Sequence, residues 1–223
     1  MTKIKSFSEN LSSEFILELY KLGIFLMAKH RFDKQLHFVD PIKRALLPIG
    51  NFRYSKSLIR LCKKKPFEIS INQSFEEVIF NCATVNRKET WINELLEKKF
   101  CELHYNGYAH SIECWRNSKL VGGVYGVALG SCFFAESMFS KVSNASKFAL
   151  ITLISRLWYL DYKILDVQFV NEHLKQFGVF EISKNIFKEK IKKLVDKKNH
   201  FSNLDKDPFN VVLDFLHEIR DKS

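Results

Sequence analysis

A chain of 223 residues, 46% hydrophobic and 27% charged, can bury one core, or a small one beside a larger, and has the make-up of an ordinary folded protein. Its formal charge of +10 invites an anionic partner such as nucleic acid, although a lysine-rich solvated surface gives the same excess. No apolar run nears the ~20 residues of a spanning helix, and MTKIKSFSEN lacks the apolar stretch of a secretion signal, so membrane and export classes are set aside and a cytoplasmic protein is expected.

Ser12 or Ser13 is placed to cap a first helix with Phe15, Leu19 and Leu22 on one stripe, stopped by Gly23. A looser segment runs through Pro41 to Pro48 and Gly50, and a domain boundary is expected there, giving a small N-terminal domain over 1–48. Ser55 caps a helix, SKSLIRLCKKK, which Pro66 ends, and FEISI alternates as a strand. Phe75, Val78, Ile79 and Cys82 recur at helical spacing, as do Ile92, Leu95, Leu96, Phe100 and Leu103 before Gly107. From Ala109 to Ser140 the pattern turns to strands joined at Asn117-Ser118 and near Gly130, an antiparallel meander. Ser143 or Asn144 opens a long apolar helix, and KILDVQFV is a nearly continuous apolar strand, expected at the centre of the sheet. EHLKQF and the basic KNIFKEKIKKLVDKK are helical; the main domain is expected over 49–197, with 198–223 an extension without an assigned role. The sum is an α+β fold, helices beside a mainly antiparallel sheet.

Five scattered cysteines (Cys62, Cys82, Cys101, Cys114, Cys132) fit neither a disulfide framework nor a zinc site, and their apolar neighbours suggest buried, reduced thiols. The 21 phenylalanines fit either an aromatic pocket or simple replacement of Leu by Phe in the core. The sequence has no P-loop, H-E-x-x-H or G-x-S-x-G. The histidines stand apart; His173 is of interest because it follows the apolar strand. Arg60, Lys63, Lys64 and Lys65 close a helix, where the dipole favours cations in any case, and equally form a compact phosphate-binding patch. Asp166 and Gln168, two apart in a strand, are expected on one side of it. Burying both demands partners, which can be a polar network or a ligand; Glu136, stranded in FFAESMF, poses the same choice.

At these positions the chain resembles the bacterial leucyl/phenylalanyl-tRNA–protein transferases. The resemblance is carried by ETWI (89–92), GYAHSIECW (107–115), LVGGVYGVALG (120–130), ESMFS (136–140), NASK (144–147) and LDVQFV (165–170) with His173 beyond it, in order, over roughly 23–186. It implies an N-terminal domain followed by a larger acetyltransferase-like (GNAT-type) domain. It also implies transfer of Leu or Phe, less readily Met, from aminoacyl-tRNA to acceptor proteins that begin with Lys or Arg. Such products enter N-degron-dependent degradation; no cofactor or metal is implied, and a monomer is expected. Matched to the family, Asp166 and Gln168 are the catalytic pair and Glu136 a carboxylate at the substrate. Val124, Phe133, Met138, Leu150, Leu153 and Leu165 are expected to form the apolar side-chain pocket. Trp91 and Phe38 would hold the terminal adenosine, and Arg60, Lys63 and Lys64 the acceptor-stem phosphates. Two departures stand out: Leu26 where relatives usually carry Pro, and Phe38 where many carry Trp. An acyl-CoA-dependent acetyltransferase would need a Q/R-x-x-G-x-G/A loop, which the sequence lacks, and a silent RNA-binding module would not need Asp166 and Gln168.

Overall fold

The computed structural model describes residues 11–202 and 204–221; the reading of residues 1–10 as free of a secretion signal lies outside them. The first helix, α1 (Ser13–Lys21), starts where Ser12 Oγ accepts the Phe15 N–H at 3.2 Å. Its buried face is Ile16, Leu19 and Tyr20 rather than the expected stripe, and Phe15 and Leu22 are exposed. The i, i+3, i+4 pattern fits both stripes, and the packing against the rest of the chain selects the one containing Tyr20.

β1 (Phe25–Met27) and β2 (His37–Val39) form a two-stranded antiparallel ribbon. β3 (Lys43–Leu47) follows, a strand within the segment expected to be loose. Then come α2 (Lys56–Lys63), capped by Ser55 Oγ on the Leu58 N–H, β4 (Glu68–Ile71), α3 (Phe75–Thr84) and α4 (Glu94–Tyr105). The meander is β5 (Ala109–Arg116), β6 (Lys119–Leu129) and β7 (Cys132–Ser140). The chain continues through α5 (Ala145–Tyr159), β8 (Ile164–Gln168), α6 (Glu172–Lys175), β9 (Phe180–Ser183), α7 (Lys184–Lys192) and α8 (Pro208–Asp221).

The seven-stranded sheet has the order β4-β5-β6-β7-β8-β3-β9, antiparallel throughout except for the parallel pair β7–β8, which α5 connects. The fold is therefore α+β with a mixed sheet, as expected, and β8 lies well inside it. β3 pairs with both β8 and β9, so residues 43–47 are an integral part of this sheet. One face is covered by α5 and α8, the other by α1, α3, α4 and α7, and each layer closes its own apolar cluster. The extension after residue 197 packs: Phe201, Phe209, Val212 and Phe215 are buried in the α5 layer, and Arg156 donates to the Phe201 carbonyl oxygen at 2.6 and 3.0 Å.

Candidate active site

β7 and β8 are paired only from Cys132↔Ile164 to Phe134↔Asp166, although β7 runs on to Ser140 and β8 to Gln168. Beyond that point the strands part, and a cavity of about 340 Å³ opens between them. Both strands carry an irregularity there. Across β6 and β7, Tyr125 faces Ser137 and Gly126 faces Ala135, which leaves Glu136 as the extra residue of a bulge. Gly126 is required at that step, because a Cβ would collide with the Phe134 carbonyl. Across β3 and β8, Ala45 faces Gln168 and Leu46 faces Asp166, so Val167 is the extra residue.

That second bulge corrects the expectation that Asp166 and Gln168 share a side. Directly opposed residues share a face, and Ala45 and Leu46, being neighbours, point to opposite faces. Asp166 is fully buried, away from the cavity, against Arg44: Arg44 Nε donates to Oδ1 and Oδ2 at 2.9 and 3.0 Å, and Nη2 to Oδ2 at 2.6 Å. The two residues remain linked through the backbone, as the Gln168 N–H donates to Asp166 Oδ1 at 3.0 Å. Gln168 lines the cavity, with a left-handed φ of +58°.

A second network holds the Gln168 side chain. Glu136 Oε1 accepts the Tyr20 hydroxyl at 2.6 Å and the Gln168 Nε2 group at 3.4 Å. In this arrangement the Gln168 amide turns its nitrogen to Glu136 Oε1 and keeps its carbonyl oxygen for another partner. Burial among apolar groups pushes the Glu136 carboxyl up to about 8, against the opposing pull of the Tyr20 hydrogen bond. Burial and the adjacent Glu136 also raise Tyr20 well above its ordinary value.

The structure brings Gln168, Glu136, Trp91, Val124, Met138 and Leu150 together around the cavity. Phe133, Leu153 and Leu165 do not reach it. Phe133 and Leu165 face each other where β7 and β8 are still zipped together, Phe133 packs on Phe201 at 5.3 Å, and Leu153 is fully buried in the α5 core. Phe38 lies on β2, against Phe15, outside the cavity wall. His173 stands on α6 edge-on to Phe177; burial and the Lys147 charge lower its pKa. Missed from the sequence were Phe25 and Met27 of β1, and Arg87, whose Nη2 donates to Ser137 Oγ at 2.7 Å. Arg44 and Tyr20 were also missed; an arginine inside the apolar run RALL was the one available signal. Burial pushes the Cys82 and Cys132 thiols up to about 12, far from a thiolate at neutral pH.

A separate cleft of about 370 Å³ is lined by Arg60 of α2, Lys64 just after it, Lys147 of α5 and Gln176 after α6, with no carboxylate in its wall among the described residues; Lys63 lies outside it. Leu174 of α6 lines the first cavity and Phe177, three residues on, lines the cleft, so α6 separates the two.

The sequence model of the leucyl/phenylalanyl-tRNA protein transferase family matches residues 46–192. A leucyl/phenylalanyl-tRNA–protein transferase of Paramagnetospirillum magneticum is 45% identical over 183 residues, covering 81% of this chain and 88% of the relative. Those of Maricaulis maris (44%, 80% and 84% covered) and Caulobacter vibrioides (42%, 85% and 88%) are similar to the same extent. The chain belongs to this family of transferases. Leu26 and Phe38, the two positions expected to depart from the family's usual residues, face each other across the β1–β2 ribbon. Leu26 is buried there. α8 lies beyond the stretch that the family model matches, yet it completes the α5 core. Among the described residues no helix is long and apolar enough to cross a membrane.

Proposed function

We propose that the chain takes Leu or Phe, less readily Met, from charged tRNA and joins it to the N-terminal Lys or Arg of acceptor proteins, marking them for N-degron-dependent degradation in the cytoplasm. The observation that carries this reading is the cavity at the β7–β8 divergence, mainly apolar in its walls and lined by the Gln168 amide and the Glu136 carboxyl. Apolar walls from Val124, Met138 and Leu150 favour a bulky apolar side chain at ~0.8 kcal/mol per buried methylene, and reject charged ones by desolvation. The reaction is aminolysis of an activated ester. The neutral amine attacks the ester carbonyl, the C–N bond forms as the C–O bond breaks, and the amine's proton ends on the released ribose oxygen. The Gln168 carbonyl oxygen accepts an N–H of the incoming amine and orients it, while Asp166 holds the backbone of Gln168 in place. Glu136 sits by the amino group or terminal ribose of the donor, Trp91 stacks on the adenine, and Arg60, Lys63 and Lys64 meet the stem phosphates. We read the fold as acetyltransferase-like (GNAT-type) and the working form as a monomer.

The test is transfer of labelled Leu or Phe from charged tRNA to peptides beginning with Arg, Lys or Ala. Transfer to the first two alone is expected. Saturable tRNA binding without transfer to any peptide would replace this reading with that of an RNA-binding module.

A further inference from the structure

We propose that Arg44 is a positioning residue of the reaction: its guanidinium fixes the Asp166 carboxylate, and through it the strained turn that aims the Gln168 amide into the cavity. The inference rests on the reading of Gln168 as the group that orients the amine.

Gln168 needs such support. Its φ of +58° is a region that side-chain-bearing residues occupy at a cost, and the Phe169 N–H closes a three-residue turn onto the Val167 carbonyl oxygen at 2.6 Å. Among the described residues the one side-chain contact on the Gln168 backbone N–H is Asp166 Oδ1, at 3.0 Å. Whatever fixes that oxygen fixes the turn.

Arg44 is only 1% exposed and has little freedom to do anything else. Nε and Nη2 bind both Asp166 oxygens, and Nη1 donates to the Gly23 carbonyl oxygen at 2.9 Å. The guanidinium is also held between the rings of Phe25 and Phe187, at 4.7 and 4.6 Å from their centroids. One cation thus joins the end of α1, the cavity wall at Phe25, α7 and β8. The carboxylate it binds has its lone pairs engaged and does not face the cavity, so Asp166 takes no proton from the substrate and acts through the geometry of Gln168. Lysine at position 44 would keep the charge but not the planar fork that meets two oxygens at once.

The experiment compares Arg44→Lys, Arg44→Met and the double variant Arg44→Met/Asp166→Asn. Transfer kinetics are measured with charged tRNA and an Arg-initiated peptide, urea midpoints report stability, and the Gln168 backbone amide resonance is followed in ¹⁵N-glutamine-labelled protein. Arg44→Lys is expected to lower kcat about 10- to 100-fold with KM for charged tRNA within about two-fold, since misplacement by ~1 Å costs that much. The double variant, freed of an unpaired buried charge, is expected to regain the urea midpoint lost in Arg44→Met while kcat stays low and the Gln168 resonance stays displaced. Wild-type kcat in Arg44→Lys, or kcat that recovers together with stability in the double variant, would reduce Arg44 to a structural ion pair. Should Arg44→Met fail to fold, the lysine and double variants still decide. Absence of transfer in the wild type would count against the proposed reaction instead, and an unmoved Gln168 resonance in Arg44→Lys would then overturn the role of Arg44 on its own.

Discussion

Glu136→Gln gives the most direct reading of the site's electrostatics. In the unfolded chain this carboxyl ionises near 4.5, and in the fold burial pushes it up to about 8. Between those values the native state holds a proton that the unfolded state has released, so stability from this group falls as the pH rises across the interval. Below 4.5 both states are protonated and the group costs nothing. At about 1.36 kcal/mol per pKa unit the full erosion is about 4–5 kcal/mol, and water reaching the cavity reduces it to about 2–3 kcal/mol. Glutamine keeps the shape and an acceptor for the Tyr20 hydroxyl, and it does not titrate. Urea unfolding at intervals from about pH 5 to pH 8 is therefore expected to show the variant gaining on the wild type by about 2–3 kcal/mol as the pH rises. A difference that does not vary with pH would refute the buried-carboxyl account. Tyr20→Phe provides the converse check: removing the donor that favours the anion moves the wild-type slope to higher pH.

Gln168→Ala is expected to bind charged tRNA normally and to lose most transfer, read by filter binding alongside peptide aminoacylation; wild-type rates would remove Gln168 from the mechanism. Replacing Arg60, Lys63 and Lys64 by Ala should weaken binding to all tRNAs and flatten the dependence of log K on log salt by about 0.7–0.9 for each phosphate no longer neutralised. An unchanged slope would place the RNA elsewhere. kcat/KM for the acceptor peptide should fall about tenfold per pH unit below ~7.7, where an α-amino group protonates, and a profile flat down to about pH 6 would contradict attack by the free amine.

The elements with a repeated pattern were legible in the sequence. The β5–β7 meander, α5 and β8 follow from alternation and apolar runs, and the motifs clustered on them led to Glu136, Gln168 and Trp91 on one cavity. What escaped has physical causes. β1, β2 and β9 are three or four residues long, too short for a period to register, and β3 was masked by the prolines at 41 and 48. The side on which Asp166 lies was misread because a bulge at Val167 breaks the two-residue alternation, and no residue type announces a bulge there. The reach of the pocket was overestimated at Phe133 and Leu165 because only the pairing register shows where β7 and β8 part. Tyr20 and Arg44 are distant in sequence from the groups they hold, so only the fold could reveal them.

The groups around the cavity support a mechanism that rests on placement more than on proton abstraction. Starting from a neutral amine, ester aminolysis transfers one proton from nitrogen to the departing ribose oxygen and leaves the protein's own proton count unchanged. Asp166 is saturated by Arg44 and by the Gln168 N–H, and Glu136 keeps its own proton up to about 8. Arg87 and Glu136 are the only titratable side chains in the cavity wall among the described residues, and the buried thiols nearby lie too high to serve as nucleophiles. What these groups can do is hold two reactants at a fixed separation, which supplies effective concentrations far above those in solution. Each bulge sets one polar residue, Gln168 or Glu136, at the divergence of β7 and β8; Glu136 is bonded directly to Tyr20, and Gln168 is linked to Arg44 through Asp166. In the proposed mechanism Tyr20 on α1 and Arg44 on β3 hold the two polar groups of the cavity, and replacing either is expected to change the distances on which that mechanism depends while leaving most of the sheet in place.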